Sequence, residues 1–200
     1  MADKMKFLVV HCTDSPSTRN VTTDDITTWH LAPLDNGDGT FTFMKNPKMT
    51  KAELATHTIK LPSGKIIQAA SVRGRGWSKP GYSDLIDRTG KVINLVPYNN
   101  DEVIDANEIT NGASGYNSFS RHVVLAGGWP GNSPVEGKIF EPEQLYTPEQ
   151  ILSLKVYLHI QIKIVPTVSI IGHNEISQKT CPNFHVQDFL KRPDFNKLAV

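Results

Sequence analysis

Apolar residues in this chain gather in short runs separated by turn-forming stretches. Lys6–Cys12 is one such run, closed by Asp14, Ser15 and Pro16. Its nearly unbroken apolar character predicts a strand buried on both faces. Arg121–Ala126, ended by Gly127 and Gly128, predicts another, and Thr167–Ile171 a third. Ser83–Asp87 and Lys91–Val96 flank Arg88, Thr89 and Gly90, which is a hairpin arrangement. Helical spacing is clearest after Thr147. Thr147 suits the N-cap, Pro148 the first helical position and Gln150 a capping box, while Ile151, Leu154 and Leu158 share one face. Pro166 ends that helix. Thr22–His30 opens with N-cap residues and first-turn carboxylates, which predicts a shorter helix against the pull of its β-branched threonines.

The order strand, helix, strands, helix, strand predicts an α/β fold. We expect one domain over residues 1–200, a central mixed β-sheet flanked by helices. Residues 31–76 fit that scheme least. Asp35–Gly39 and Pro62–Gly64 are turn signals around short strand-like pieces at Phe41–Phe43 and Lys65–Ile67, so an inserted segment with hairpin character is expected there. Residues 101–115 are polar and predict a surface loop, as does the stretch to Glu141 containing Pro130 and Pro134.

Composition narrows the function. Lys plus Arg number 21 and Asp plus Glu 20, a net charge of +1, so no bulk field favours nucleic acid and none is expected as a partner. No apolar run nears the roughly 20 residues needed to span a bilayer, so membrane insertion is not expected. Phe7–Val10 is too short for the apolar region of a secretory signal, about 7–15 residues. Synthesis in the cytoplasm without a signal peptide is therefore expected. Cys12 and Cys181 are too few for a disulfide scaffold.

Candidate chemistry lies at strand ends. His173 and Cys181, good ligands for an ion such as zinc, follow the last predicted strand with Lys179 between them. Pro182 favours an extended backbone at Cys181, which would aim Lys179 and Cys181 to one side. His11, at the end of the first strand, is the best third ligand. Two neutral histidines and one thiolate leave a tetrahedral zinc one position for water. Cys12, next to His11, should point to the opposite face as a small buried hydrophobe. A nucleophilic role for Cys181 with His173 as base is the metal-free rival. A cysteine before proline, without helix amides to lower its pKa, is a poor setting for it.

Three segments together carry a resemblance: Val9-Val-His11-Cys, Gly76-Trp-Ser-Lys-Pro-Gly-Tyr82, and Gly172-His-Asn-Glu-Ile-Ser-Gln-Lys-Thr-Cys-Pro-Asn-Phe184. The chain resembles the zinc-dependent N-acetylmuramoyl-L-alanine amidases of type 2, which include phage amidase-lysozymes and the peptidoglycan recognition proteins. The resemblance runs from about Lys6 to Leu190 and is absent over about Leu31 to Ser71. It implies the fold of that family and cleavage of the amide between N-acetylmuramic acid and L-alanine in peptidoglycan. It also implies His11, His173 and Cys181 as metal ligands, with Zn2+ as cofactor. Tyr82 matches the tyrosine beside the metal-bound water, and Lys179 the residue facing the scissile carbonyl. A phage or prophage endolysin is expected, a monomer that reaches the wall after release with the help of another protein. The alternative is a wall-binding recognition module of the same fold that does not cut. Such modules typically lack the cysteine ligand, which is present here.

Two positions depart from the family. Ser83 stands where histidine commonly follows the tyrosine, and His185 where an acid is often found. Trp77 is a candidate sugar-stacking platform, with a packing anchor as the competing role. Arg73, Arg75 and Lys79 are candidates for meeting wall-peptide carboxylates, or a solvated loop. His30, His57, His122, His159 and His185 have no motif support and are expected to be structural or exposed.

Overall fold

A computed structural model of the chain describes residues 3–134 and 137–195. The loop expected before Glu141 includes Val135 and Glu136, which lie outside the described residues. The chain divides into two compact units, Met1–Val21 with Tyr82–Val200, and Thr22–Gly81. Among the described residues no helix is long and apolar enough to cross a membrane.

The larger unit is built on five strands: β1 (Phe7–Cys12), β2 (Asp84–Ile86), β3 (Val92–Asn94), β4 (Ser120–Leu125) and β5 (Ser169–Gly172). Their order is β3-β2-β4-β1-β5. The β2–β3 hairpin is antiparallel, and every other pairing is parallel, so the sheet is mixed as expected. All of β4, and β1 beyond Phe7, is buried. Interior parallel strands covered on both faces need such continuous burial, which is why their runs are legible without alternation.

Helix α1 (Pro148–Ile164) covers one face. Thr147 Oγ1 accepts from the Gln150 N–H at 3.1 Å, and Gln150 Oε1 accepts from the Thr147 N–H at 3.2 Å, completing the capping box. The buried Gln150 amide also donates to the carbonyls of Ile86 (3.1 Å) and Ala126 (2.9 Å), tying the start of the helix to the ends of β2 and β4. Ile151, Leu154 and Leu158 pack with Leu8, Val10, Val123 and Leu125 in the main core. A short helix α2 (Val186–Leu190) adds Val186 and Phe189 to the same core.

One detail differs from expectation, and one adds to it. Residues 101–115 are not all surface: Val103–Ile104 pairs with Asp3–Lys4, and Ile104 is buried against Met5 and Val165. A two-residue strand is too short to leave a periodic signal. Arg121, inside an apolar run, is buried and still satisfied. It donates to Gln161 Oε1 (2.8 Å) and the Asn99 carbonyl (3.2 Å), and its guanidinium lies 3.8 Å from the centre of the Tyr98 ring.

Thr22–Gly81 has its own small core. The helix Thr23–Leu31 is capped by Thr22, whose Oγ1 accepts from the Asp25 N–H while Asp25 accepts from the Thr22 N–H. Strands Leu34–Asp35, Phe41–Phe43 and Asn46–Met49 form one antiparallel sheet, and Thr58–Lys60 with Ile66–Gln68 a second. Phe41, Phe43, Met49, Leu54, Ile59 and Leu61 pack together beneath them. Gly76 lies at φ +68°, where a Cβ would meet the Thr42 carbonyl oxygen at 2.3 Å, so only glycine fits.

Candidate metal centre

The sheet register brings distant residues together. Gly172 lies opposite Val10, so β5 ends two residues before the end of β1, and His173 follows beside His11. A Cβ at Gly172 would sit 2.4 Å from Asn174 Oδ1, so a larger residue there would have to displace the Asn174 side chain. His173 opens a 3-10 turn in which Glu175 Oε1 accepts the Gly172 N–H at 2.7 Å. The chain then runs through bends and a turn rather than an extended strand. It folds back because the Asn174 N–H donates to the Cys181 carbonyl at 2.7 Å. Tyr146 OH holds the next residue by donating to the Pro182 carbonyl at 2.7 Å.

One ligand atom each from His11, His173 and Cys181 lies within 4.8 Å of the others. His11 and His173 are both buried, and Cys181 is half-buried. The Cys181 Sγ is 3.8 Å from His11 Nδ1. A nitrogen and a sulfur on one tetrahedral zinc lie about 3.6 Å apart, so the pair stands close to shared coordination.

The protonation states suit ligation. Burial lowers the His11 pKa, which favours a neutral ring with a lone pair to offer. A hydrogen bond with the Cys12 side chain, ahead of those with His11 and His173, holds Cys181 well below the usual thiol range despite burial. The same contact, with burial, pushes the Cys12 thiol well up. The Cys12 backbone N–H also donates to Cys181 Sγ at 3.2 Å. Cys12 itself belongs to the main apolar core. Two imidazoles and a thiolate form a donor set that fits zinc.

Tyr82 and Lys179 border this cluster. The Tyr82 ring centre is 5.1 Å from that of His11. Lys179 is exposed, and its charge is among those that lower His11. Trp77 belongs to the other unit and stacks on His30, with ring centres 4.9 Å apart and planes at 32°. Arg73 donates to the carbonyls of Ala70 and Val72 and lies over the Phe41 ring at 4.5 Å.

His122 is the residue the sequence passed over. It is buried on β4, and its Nδ1 is 2.9 Å from Nε2 of His11. The available signal was a histidine inside an otherwise apolar strand. Ser83, at the position where the resembled family commonly has histidine, is buried next to it. His185 is exposed at the start of α2.

A family model described as N-acetylmuramoyl-L-alanine amidase matches residues 1–184. An endolysin of Enterobacteria phage K11 is 31% identical over 117 residues, covering 58% of this chain and 68% of that protein. An endolysin of Klebsiella phage KP32 is 29% identical over 114 residues, covering 56% of this chain and 65% of that protein. Among solved structures, the Ph2119 endolysin from a bacteriophage of Thermus scotoductus MAT2119 superposes with a TM-score of 0.56 at 16% identity, covering 96% of this chain and 86% of that one. Drosophila PGRP-LB gives 0.51 at 17% identity with the same coverage. The structural likenesses show a shared fold.

Proposed function

The chain belongs to the N-acetylmuramoyl-L-alanine amidase family, and on that premise we propose that it is a zinc-dependent endolysin. It hydrolyses the amide joining N-acetylmuramic acid to L-alanine in peptidoglycan. The observation that carries the zinc is the convergence of one ligand atom each from His11, His173 and Cys181 within 4.8 Å of one another.

Bound there, zinc supplies a Lewis acid for amide hydrolysis. The protein's own groups do the rest. Lys179 places a fixed ammonium where negative charge develops on the amide oxygen, which lowers the barrier more than it stabilises bound substrate. Tyr82 orients the attacking water. His11 is carried by the buried β1 and His173 by the turn that follows β5, so both ligands are positioned before substrate arrives, which limits the reorganisation needed during reaction. Trp77 offers an aromatic face on which a wall sugar can stack, backed by its contact with His30. The two phage relatives named endolysins support action on the cell wall after release.

Purified cell wall provides the test. Clearing of turbidity should stop when a chelator removes the metal and return with added zinc, with free stem peptide released at the lactyl–alanine bond. Undiminished lysis after complete metal removal, or muropeptide binding with no stem peptide released, would overturn the proposal.

A further inference from the structure

We propose that His122 is a positioning residue for the metal centre, holding His11 in the tautomer that offers Nδ1 to the ion. The inference rests on the zinc reading above and concerns a residue outside its ligand set. On β4, Val124 lies opposite His11 and His122 opposite Val9, so His122 and His11 sit diagonally on one face of the sheet. Their rings meet with Nδ1 of His122 2.9 Å from Nε2 of His11, and neither residue is more than 1% exposed.

A neutral imidazole carries one ring proton and one lone pair. Both rings are buried, where a charged imidazolium is disfavoured. The Nδ1 of His11 is the atom facing Cys181. For it to ligate, its lone pair must be free, so the His11 proton sits on Nε2 and is donated to His122 Nδ1. His122 then keeps its own proton on Nε2. Among the described residues that Nε2 has no hydrogen-bond partner, so the contact with His11 is the polar contact the ring makes. An apolar side chain would suit this strand without burying a polar ring. Ser83 lies alongside, its N–H donating to the His122 carbonyl at 2.8 Å and its Oγ accepting the His122 N–H at 3.4 Å, which fixes the backbone that carries the ring.

Long-range 1H–15N NMR of the zinc-loaded wild type reads the ring protons directly. The expected spectrum has His11 protonated on Nε2 and His122 unprotonated on Nδ1. Chelator competition then gives zinc affinity for two variants. His122→Leu should bind zinc about 10- to 100-fold more weakly, the range seen when the hydrogen-bond partner of a metal-bound histidine is removed. His122→Asn, whose amide oxygen can stand where Nδ1 does, should recover most of that loss. A zinc-loaded wild type with His122 protonated on Nδ1 overturns the inference, as does a folded His122→Leu with wild-type zinc affinity. Should His122→Leu fail to fold, the wild-type spectrum decides. Failure of the zinc reading looks different: the wild type would bind no zinc, or would bind it equally after Cys181→Ser.

Discussion

The two compact units bury their apolar residues in different ways. In the larger unit, β1 and β4 are six-residue strands buried almost throughout and covered by α1. In Thr22–Gly81 the strands are two to four residues long, and the core draws one or two side chains from each of several pieces. Long parallel strands fix register over their length, so their ends bring far-apart residues to set positions. His11 is placed in that way, and β5, held in parallel register against β1, sets His173 beside it. The short-stranded unit has no such edge, and none of its residues is among the proposed metal ligands.

The sharpest break in the comparison is Cys181→Ser. It should abolish zinc binding and hydrolysis together while the fold survives, as mass spectrometry of metal content and of muropeptide products would show. Next is Lys179→Ala, which should lower kcat by roughly 10²–10³-fold with zinc content unchanged, since a fixed charge is lost and no ligand. The cores follow. Leu158→Ala in the larger unit and Leu54→Ala in the smaller should each cost about 2–5 kcal/mol by denaturant unfolding, the usual range for an unfilled leucine cavity. Zinc stoichiometry should be normal in the Leu54 variant at temperatures where it is folded. Thr22→Ala removes the cap of the helix Thr23–Leu31 and should cost about 1 kcal/mol, read as a small fall in Tm.

The difference between the units also explains what the sequence could reveal. Thr147, Pro148 and Gln150 announce α1 because capping is local, and every group of the box lies within four residues. The runs at Lys6–Cys12 and Arg121–Ala126 announce β1 and β4 because burial on both faces leaves nothing polar to interrupt them, apart from Lys6 and Arg121 at their starts and two histidines. Those exceptions needed the fold. His122 meets His11 across 111 residues of sequence, and Arg121 reaches Gln161 across 40. Spacing alone suggested His173 and Cys181 as a pair, yet the loop between them closes through turns and the Asn174–Cys181 hydrogen bond, not through the extended backbone that Pro182 favours. The strand pair of Asp3–Lys4 with Val103–Ile104 is two residues long, below the length at which alternation can be seen.

X-ray absorption at the zinc edge, on protein purified without added metal and assayed for content, addresses the ligand set most directly. The account predicts one equivalent of zinc with two imidazole nitrogens and one sulfur, and loss of that sulfur signal in Cys181→Ser. Zinc bound without sulfur, or wall hydrolysis by protein holding no metal, would contradict it.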